Sequence, residues 1–277
     1  MEPSKTFIPR HVAVQFGSEA VHIIESGQYS TPSGRKVNIA DLLKRSVEGT
    51  QSYPPDSPLA DTETSRNYRT EFEVENETTL AAAQRLLRLG HNPVALNFAS
   101  ATHPGGGFVS GARAQEEYLA RSSGLYTCLK NNPMYQFHMW NYDPLYSDYA
   151  IYSPAVPVFR DDEGLLLEQP YTVAIITSPA VNAAKLDIAR HAEIGPAMWQ
   201  RILKVLAIGI LHGHDSIILG AWGCGAFGND PNEIAALFER ALGENFNGAY
   251  RRVVFAILDW SAEKRFIGPF RSILMKN

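Results

Sequence analysis

Three consecutive glycines follow a predicted buried strand near the middle of the chain. The apolar run at residues 94–99 predicts the strand, and the glycines are Gly105, Gly106 and Gly107. Glycine tolerates positive φ, so such a run can turn several backbone N–H groups toward one point and bind an anion. The plain alternative is a flexible loop without a ligand.

Two carboxylates come soon after the glycines. Gln115, Glu116 and Glu117 open a segment whose pattern predicts a helix to about residue 130. Acids at a helix start are often solvated charges favoured by the helix dipole. Beside an anion-binding loop, however, a carboxyl pair suggests acid–base cleavage of a sugar linked to phosphate. Neighbouring side chains diverge by roughly 100° on a helix, so we expect one glutamate to transfer protons and the other to fix the sugar hydroxyls.

A second glycine-rich loop spans residues 220–229 and also leads from an apolar run into a predicted helix. Asp230, Pro231 and Asn232 are typical residues for the start of that helix. Ligands of open α/β sheets bind at the carboxyl ends of strands. The two loops are therefore expected to converge on one ligand.

The region of the first glycine loop resembles the signature of poly(ADP-ribose) glycohydrolases of the bacterial type. The resemblance rests on Gly-Gly-Gly followed by Gln-Glu-Glu, on NFAS before the glycines and on the motif GARAQEE. These enzymes are macrodomain-like. The second loop is similar to the second phosphate-binding loop of macrodomains, and residues 27–39 (GQYSTPSGRKVNI) resemble the N-terminal extension of the bacterial branch.

The resemblance implies a role for each matching residue. Glu117 would protonate the leaving oxygen and then activate water, while Glu116 would orient the ribose. Phe227 would pack beside the distal ribose, although a core position under a turn is the alternative. Asn97 or Ser100 would reach the terminal ribose. The remaining expected ADP-ribose contacts are Gly105, Gly106, Gly107, Gln115, Gly223, Cys224, Gly225 and Ala226.

The surrounding elements indicate how these loops are positioned. The order of strands and helices predicts an α/β protein whose sheet is covered on both faces. The resemblance implies a macrodomain-like three-layer α/β/α sandwich with a mixed central sheet, preceded by an N-terminal helical accessory segment. We assign residues 1–60 to that segment and 61–277 to the catalytic domain. An aromatic-rich stretch at residues 133–157 shows little periodicity. It is either a functional segment or a structural segment that packs on its own aromatic residues. Predicted strands lie at residues 70–75, 94–99, 172–177, 216–220 and 253–258.

Composition limits the classes of function. The 277 residues are 45% hydrophobic and 19% charged, with two cysteines and a net charge of −4. This balance does not suit a protein that grips a nucleic acid along its length, and no apolar run approaches the ~20 residues of a membrane span. We expect a cytoplasmic protein without membrane or direct nucleic-acid binding.

Metal and thiol chemistry are not expected. His212 and His214 lack an acid or cysteine at ligand spacing, and no residue identifies itself as a base for Cys224. The resemblance likewise implies no metal and no cofactor.

The resemblance thus implies hydrolysis of the ribose–ribose bonds of poly(ADP-ribose), and we expect the enzyme to work from the free end and to act on ADP-ribosylated proteins. Two alternatives stay open: a module that binds ADP-ribose without cleaving it, and a hydrolase of mono-ADP-ribose. A binding module would need the loops but not the acid pair.

Overall fold

A mixed seven-stranded sheet forms the centre of the protein. The computed structural model describes residues 8–55, 57 and 67–275, and within them the strand order is β3-β6-β7-β5-β8-β9-β4. A separate two-stranded sheet pairs β1 with β2. The strands are β1 Gln28–Ser30, β2 Lys36–Asn38, β3 Gln51–Tyr53, β4 Glu71–Glu75, β5 Pro93–Phe98, β6 Ala150–Arg160, β7 Leu166–Ser178, β8 Ser216–Leu219 and β9 Arg252–Ala256.

Helices cover both faces of the sheet. The helices are α1 Arg10–Ser26, α2 Ala40–Glu48, α3 Thr79–Arg88, α4 Gln115–Ser122, α5 Leu125–Leu129, α6 Pro133–Trp140, α7 Ile194–Leu211, α8 Pro231–Glu244 and α9 Ile267–Leu274. Side chains alternate along β5, so Val94 and Leu96 pack with α7–α9 in one core, while Ala95 packs with α3–α6 in another. The three-layer α/β/α prediction is confirmed.

The mixed character of the sheet comes from its β3–β6 edge. β7, β5, β8, β9 and β4 run parallel, whereas β6 is antiparallel to β7 and β3. The short apolar runs of the sequence lie in four of the parallel strands, β5, the second half of β7, β8 and β9, because strands covered by helices on both faces bury their side chains. β4 is the edge strand and is mostly exposed or half-buried. The carboxyl ends of the parallel strands meet at one edge, which is where both glycine-rich loops begin.

Local signals set most helix boundaries as expected. α1 ends at Gly27, whose φ of 67° is the left-handed conformation that glycine adopts easily. The Thr78 hydroxyl caps α3, and Asp230 caps α8 before Pro231. The stretch Ile188–Leu211 is long and apolar enough to cross a membrane by length and composition alone, but more than half of it is buried inside the protein, as in the core helix of a globular domain.

The N-terminal segment forms a third core against the first glycine loop. Ile23, Ile39 and Leu43 pack there with Phe108. Gly17 allows this approach, because a Cβ at position 17 would lie 2.5 Å from the Phe108 carbonyl oxygen. β3 joins the central sheet as an edge strand, so the segment is not helical throughout. The predicted boundary between residues 60 and 61 lies outside the described residues, and the division into two domains stays a prediction.

Two expectations from periodicity are wrong. The helix expected from residue 115 to about 130 is interrupted, because Ser123 is extended and bridges to Val158. The stretch 133–157 contains α6 and most of β6 rather than irregular chain. Its pattern is obscured because Pro154 and Pro157 lie within β6, where the pairing with β7 shifts register near Ser153.

Candidate active site

The two glycine loops are neighbours at the carboxyl edge of the sheet. They follow β5 and β8, which are paired in parallel. The Phe98 ring at the end of β5 lies against Gly220, where a Cβ would come within 2.8 Å of it. The expected convergence of the loops therefore follows from the strand order.

Glu117 ties the first loop to the start of α4. Its Oε1 accepts the backbone N–H of Gly107 at 3.0 Å, and its Oε2 accepts the backbone N–H of Ala114 at 2.9 Å. The second bond satisfies one of the free N–H groups at the helix start, as a glutamate at the third helical position does in a capping box. Both oxygens of this buried carboxyl are thus held by backbone donors.

Glu116 lies in a different environment. Its Oε2 accepts the Ser100 backbone N–H at 2.6 Å, while its Oε1 is buried without a hydrogen-bond partner among the described residues. Burial raises the pKa of Glu116 to about 8, and the nearby charge of Glu117 also raises it, against the lowering effect of the Ser100 hydrogen bond. The carboxyl is therefore largely protonated at neutral pH and can donate a hydrogen bond.

The two glutamates converge, which corrects the expectation that they diverge. A Cβ at Gly106 would overlap Glu117 Oε1 and lie 3.1 Å from Glu116 Oε2. The reason is that Glu117 turns back toward the helix start while Glu116 reaches to Ser100, and the loop backbone passes between them. Gly106 also has a φ of 58°, so both its missing Cβ and its conformational freedom are needed here.

Gln115 and Asn97 support the strand end. The Gln115 side chain accepts the Phe98 N–H at 2.9 Å and donates to the Leu96 carbonyl at 2.8 Å. Asn97 is fully buried, donates to Thr177 at 3.2 Å, and its side-chain hydrogen bonding lowers the Glu116 pKa. Asn97 Oδ1 is buried and has no hydrogen-bond partner within the described chain, and its predicted contact with the terminal ribose stays a prediction.

Gly105 and Gly107 complete the first loop. Gly105 has a φ of 72°, and a Cβ there would press on the buried Phe108 ring. Gly107 contributes the N–H that Glu117 accepts. The three glycines therefore set the position of the acid as well as the shape of the loop.

The second loop exposes some of its predicted contact residues and buries others. Gly225 and Ala226 are exposed, and a Cβ at Gly225 would meet nothing within 4 Å. Gly223 is instead required for packing, because a Cβ there would collide with Asn229 and Ala180. Asn229 fixes the loop through bonds to the Val181 and Gly223 carbonyls.

Cys224 is buried beneath the loop rather than presented to a ligand. Only 2% of its surface is exposed, and burial raises the pKa of its thiol to about 12. A thiol in this state is a poor nucleophile. Its neighbours Gly225 and Ala226 are better placed to contact a ligand.

Phe227 is half-buried and lies beside an aromatic residue that sequence reasoning did not select for the site. The ring centroids of Phe227 and Tyr146 are 6.3 Å apart, and the Phe227 carbonyl accepts the Ala184 N–H at 2.9 Å. Tyr146 belongs to the aromatic-rich stretch, whose composition was the available signal. The ring of Phe227 also packs against the core cluster that contains α7–α9, and its contact with the distal ribose stays a prediction.

The histidines considered as metal ligands have packing roles. His212 stacks on Tyr152 at 3.5 Å and hydrogen-bonds the Tyr53 hydroxyl, and His214 bonds Tyr152 and the Asn92 carbonyl. In the portion of the chain that the structure describes, no three His, Cys, Asp or Glu residues are grouped to hold a metal ion.

The fold and the loop geometry define a macrodomain-like α/β/α protein with a buried acid pair. The sequence model of the family described as microbial-type PARG, catalytic domain, matches residues 17–161, where PARG is poly(ADP-ribose) glycohydrolase. The chain belongs to this family.

Solved structures agree with this assignment. The glycohydrolase from Thermomonospora curvata, bound to the inhibitor ADP-HPD, is 49% identical with a TM-score of 0.89, and the match covers 95% of this chain and 99% of that one. The enzyme from Deinococcus radiodurans in complex with ADP-ribose is 40% identical with a TM-score of 0.81, covering 86% and 98%. No curated protein matches the chain.

Proposed function

We propose that this protein hydrolyses the ribose–ribose glycosidic bonds of poly(ADP-ribose) and releases ADP-ribose. The observation that carries the proposal is the convergence of Glu116 and Glu117 on the backbone of Gly106 in a chain of the glycohydrolase family. The solved relatives are named as glycohydrolases and bind ADP-ribose or ADP-HPD, which supports ADP-ribose units as the ligand.

The two loops have different roles in this proposal. The exposed turn at Gly225 and Ala226 faces the diphosphate, and Phe227 lies beside the distal ribose. In the first loop the N–H groups of Gly106 and Gly107 are bonded to the His103 carbonyl and to Glu117, so this loop contributes its shape and the placement of the acid pair. A net charge of −4 is compatible with binding one diphosphate, because backbone dipoles rather than a basic groove bind the phosphates in this proposal.

The acid pair carries one proton that the reaction uses. We assign this proton to Glu116, whose pKa burial raises to about 8, while both oxygens of Glu117 accept backbone N–H groups. When the polymer binds, this proton moves from Glu116 to Glu117, which passes it to the leaving 2′-oxygen as the ribose C1″–O bond breaks. Water then adds to C1″ and returns a proton to the carboxylate, while Glu116 holds the ribose hydroxyls.

Buried Arg121 supports the charge on Glu117 during this cycle. It lies four residues further along α4, and the negative charge of Glu117 raises its pKa while burial, the larger effect, lowers it to about 10. The guanidinium also donates to the Ala112 carbonyl. A cation one turn away stabilises the carboxylate that remains after proton transfer.

Incubation of the purified protein with poly(ADP-ribose) tests the proposal directly. Free ADP-ribose is expected from the wild type and not from a Glu117→Gln variant. Tight binding of ADP-ribose without any cleavage would favour the binding-module alternative. Release of ADP-ribose from mono-ADP-ribosylated protein, with polymer left intact, would favour the mono-ADP-ribosyl hydrolase.

We also propose that the enzyme works from the free end of polymer attached to proteins, in the cytoplasm. The support is that the grip provided by two loops suits a single diphosphate. Brief digestion of long polymer is expected to give monomeric ADP-ribose from the first time point, with gradual shortening of the remaining chains. An early burst of intermediate fragments would mean cutting within the polymer.

A further inference from the structure

An exposed aromatic surface continues outward from the candidate site. Phe227 contacts Tyr146, and Tyr146 contacts Tyr142 with ring centroids 6.5 Å apart. Tyr142 is 58% exposed, and Trp140 at the end of α6 is 76% exposed. We call Tyr142 and Tyr146, together with Trp140 two residues before Tyr142 in the chain, the aromatic rim.

Packing does not account for these exposed rings, since most of the surface of Trp140 and Tyr142 faces solvent. The inner rings of the same stretch are different: Tyr149 is buried, and His138 packs against Tyr146 and Tyr149. The stretch therefore has a packed inner side and an apolar outer side that is left uncovered.

The chain that carries the rim is firmly held. Arg201 is buried and donates to the carbonyls of Leu145 and Ser147, on either side of Tyr146. Tyr146 itself has a φ of 55°, a conformation that costs a bulky residue energy and persists only where the surroundings impose it. Such fixed placement pre-organises the rings for a ligand.

The charges around the rim disfavour a phosphate as the main contact. Asp143 lies between Tyr142 and Tyr146 in the chain and forms an ion pair with Arg190 at 3.1 Å. Arg190 also forms an ion pair with Glu193 at 2.9 Å. Arg190 is thus shared between two carboxylates, and this ion-pair group carries no net positive charge. Aromatic rings without a surplus of cations suit the flat face of a nucleobase better than its phosphate.

We propose that the aromatic rim stacks the adenine of the second ADP-ribose unit, the one that stays on the polymer when the terminal unit is cleaved. The inference rests on the proposed function. The rim begins at Phe227, beside the expected position of the distal ribose, and the second unit is joined to that ribose. Its base therefore leaves the site on the side where these rings lie.

Binding measurements in a Glu117→Gln background test the rim independently of cleavage. A two-unit fragment of poly(ADP-ribose) is expected to bind more tightly than ADP-ribose. Tyr142→Ala and Trp140→Ala should each weaken binding of the fragment about tenfold and leave ADP-ribose affinity within twofold. Tyr142→Phe, which keeps the ring, should bind the fragment like the unsubstituted background.

Leu89→Ala is the matched control, because Leu89 is a 61% exposed apolar residue at the far end of α3. It should leave both affinities unchanged. Equal affinity for fragment and monomer, or equal losses for both ligands in Tyr142→Ala, would overturn the proposal. If the wild type did not cleave the polymer, the proposed function would be refuted but the rim proposal would not. The ratio of the affinities for the two-unit fragment and for ADP-ribose is measured without turnover.

Discussion

Glu117 Oε1 lies 3.0 Å from the backbone nitrogen of Gly107 and accepts its N–H. The glycine run and the acid pair are therefore parts of one structure, because the carboxyl that the mechanism uses also holds the loop that binds the ligand. A change of shape in the loop is expected to affect both binding and catalysis, whereas loss of the Glu117 proton is expected to affect catalysis alone.

Replacement of Glu117 by glutamine should lower turnover by about 10²–10⁴-fold, because the amide has no proton to transfer. Affinity for ADP-ribose should survive. The amide NH₂ must face either Gly107 or Ala114, both of which donate, so we also expect a loss of stability of about 1–3 kcal/mol. Single-turnover kinetics, calorimetry with ADP-ribose and urea unfolding measure the three effects.

Glu25→Gln is the control for this substitution, because Glu25 is exposed on α1. It should change neither turnover nor stability. If the Glu117→Gln protein showed near-normal turnover at a temperature where it is folded, Glu117 would not be the residue that transfers the proton.

The two loops should respond differently to added side chains. Gly106→Ala is expected to abolish activity and weaken ADP-ribose binding, because the new Cβ overlaps the Glu117 carboxyl and a φ of 58° strains alanine. Gly225→Val places its side chain in open space, so the fold should be retained while approach of the diphosphate is blocked. Calorimetry with ADP-ribose and thermal unfolding separate these effects.

Gly243→Ala serves as the matched control, since Gly243 is exposed within α8 and a Cβ there would meet nothing within 4 Å. It should leave binding unchanged and slightly raise stability, because alanine favours helix more than glycine does. Unchanged ADP-ribose affinity of Gly225→Val would mean that the second loop does not contact the diphosphate.

The sequence was sufficient to predict the elements whose signals are local. The apolar runs identified β5, β7, β8 and β9, and Asp230 marked the start of α8. β6 was missed because Pro154 and Pro157 hide a strand whose pairing is set by β7. That information is non-local, since register depends on the partner strand.

For the candidate site, residue types could be predicted but not their environments. The pairing of β5 with β8 brings the loops together, and only that topology places them on one edge. Likewise, Glu116 and Glu117 are equivalent acids in the sequence. Their difference arises from which backbone N–H groups reach them, Ser100 for one and Gly107 with Ala114 for the other.

The last prediction concerns the stability cost of burying Glu116. Burial raises the pKa of its carboxyl from 4.5 to about 8, so between these pH values the folded protein binds a proton that the unfolded chain releases. Stability must therefore fall as pH rises through this window and level off above it. The full difference is about 5 kcal/mol at most.

Glu116→Gln removes this titration while its amide oxygen can still accept the Ser100 N–H. We expect wild type and variant to have similar free energies of unfolding at pH 4.5, and the variant to be more stable by a few kcal/mol at pH 9. Urea unfolding across this range measures the gap, with Glu25→Gln as the control for loss of an exposed carboxyl. A gap that stays constant with pH would show that Glu116 titrates normally in the fold, and the proton held by the empty acid pair would then have to be assigned elsewhere.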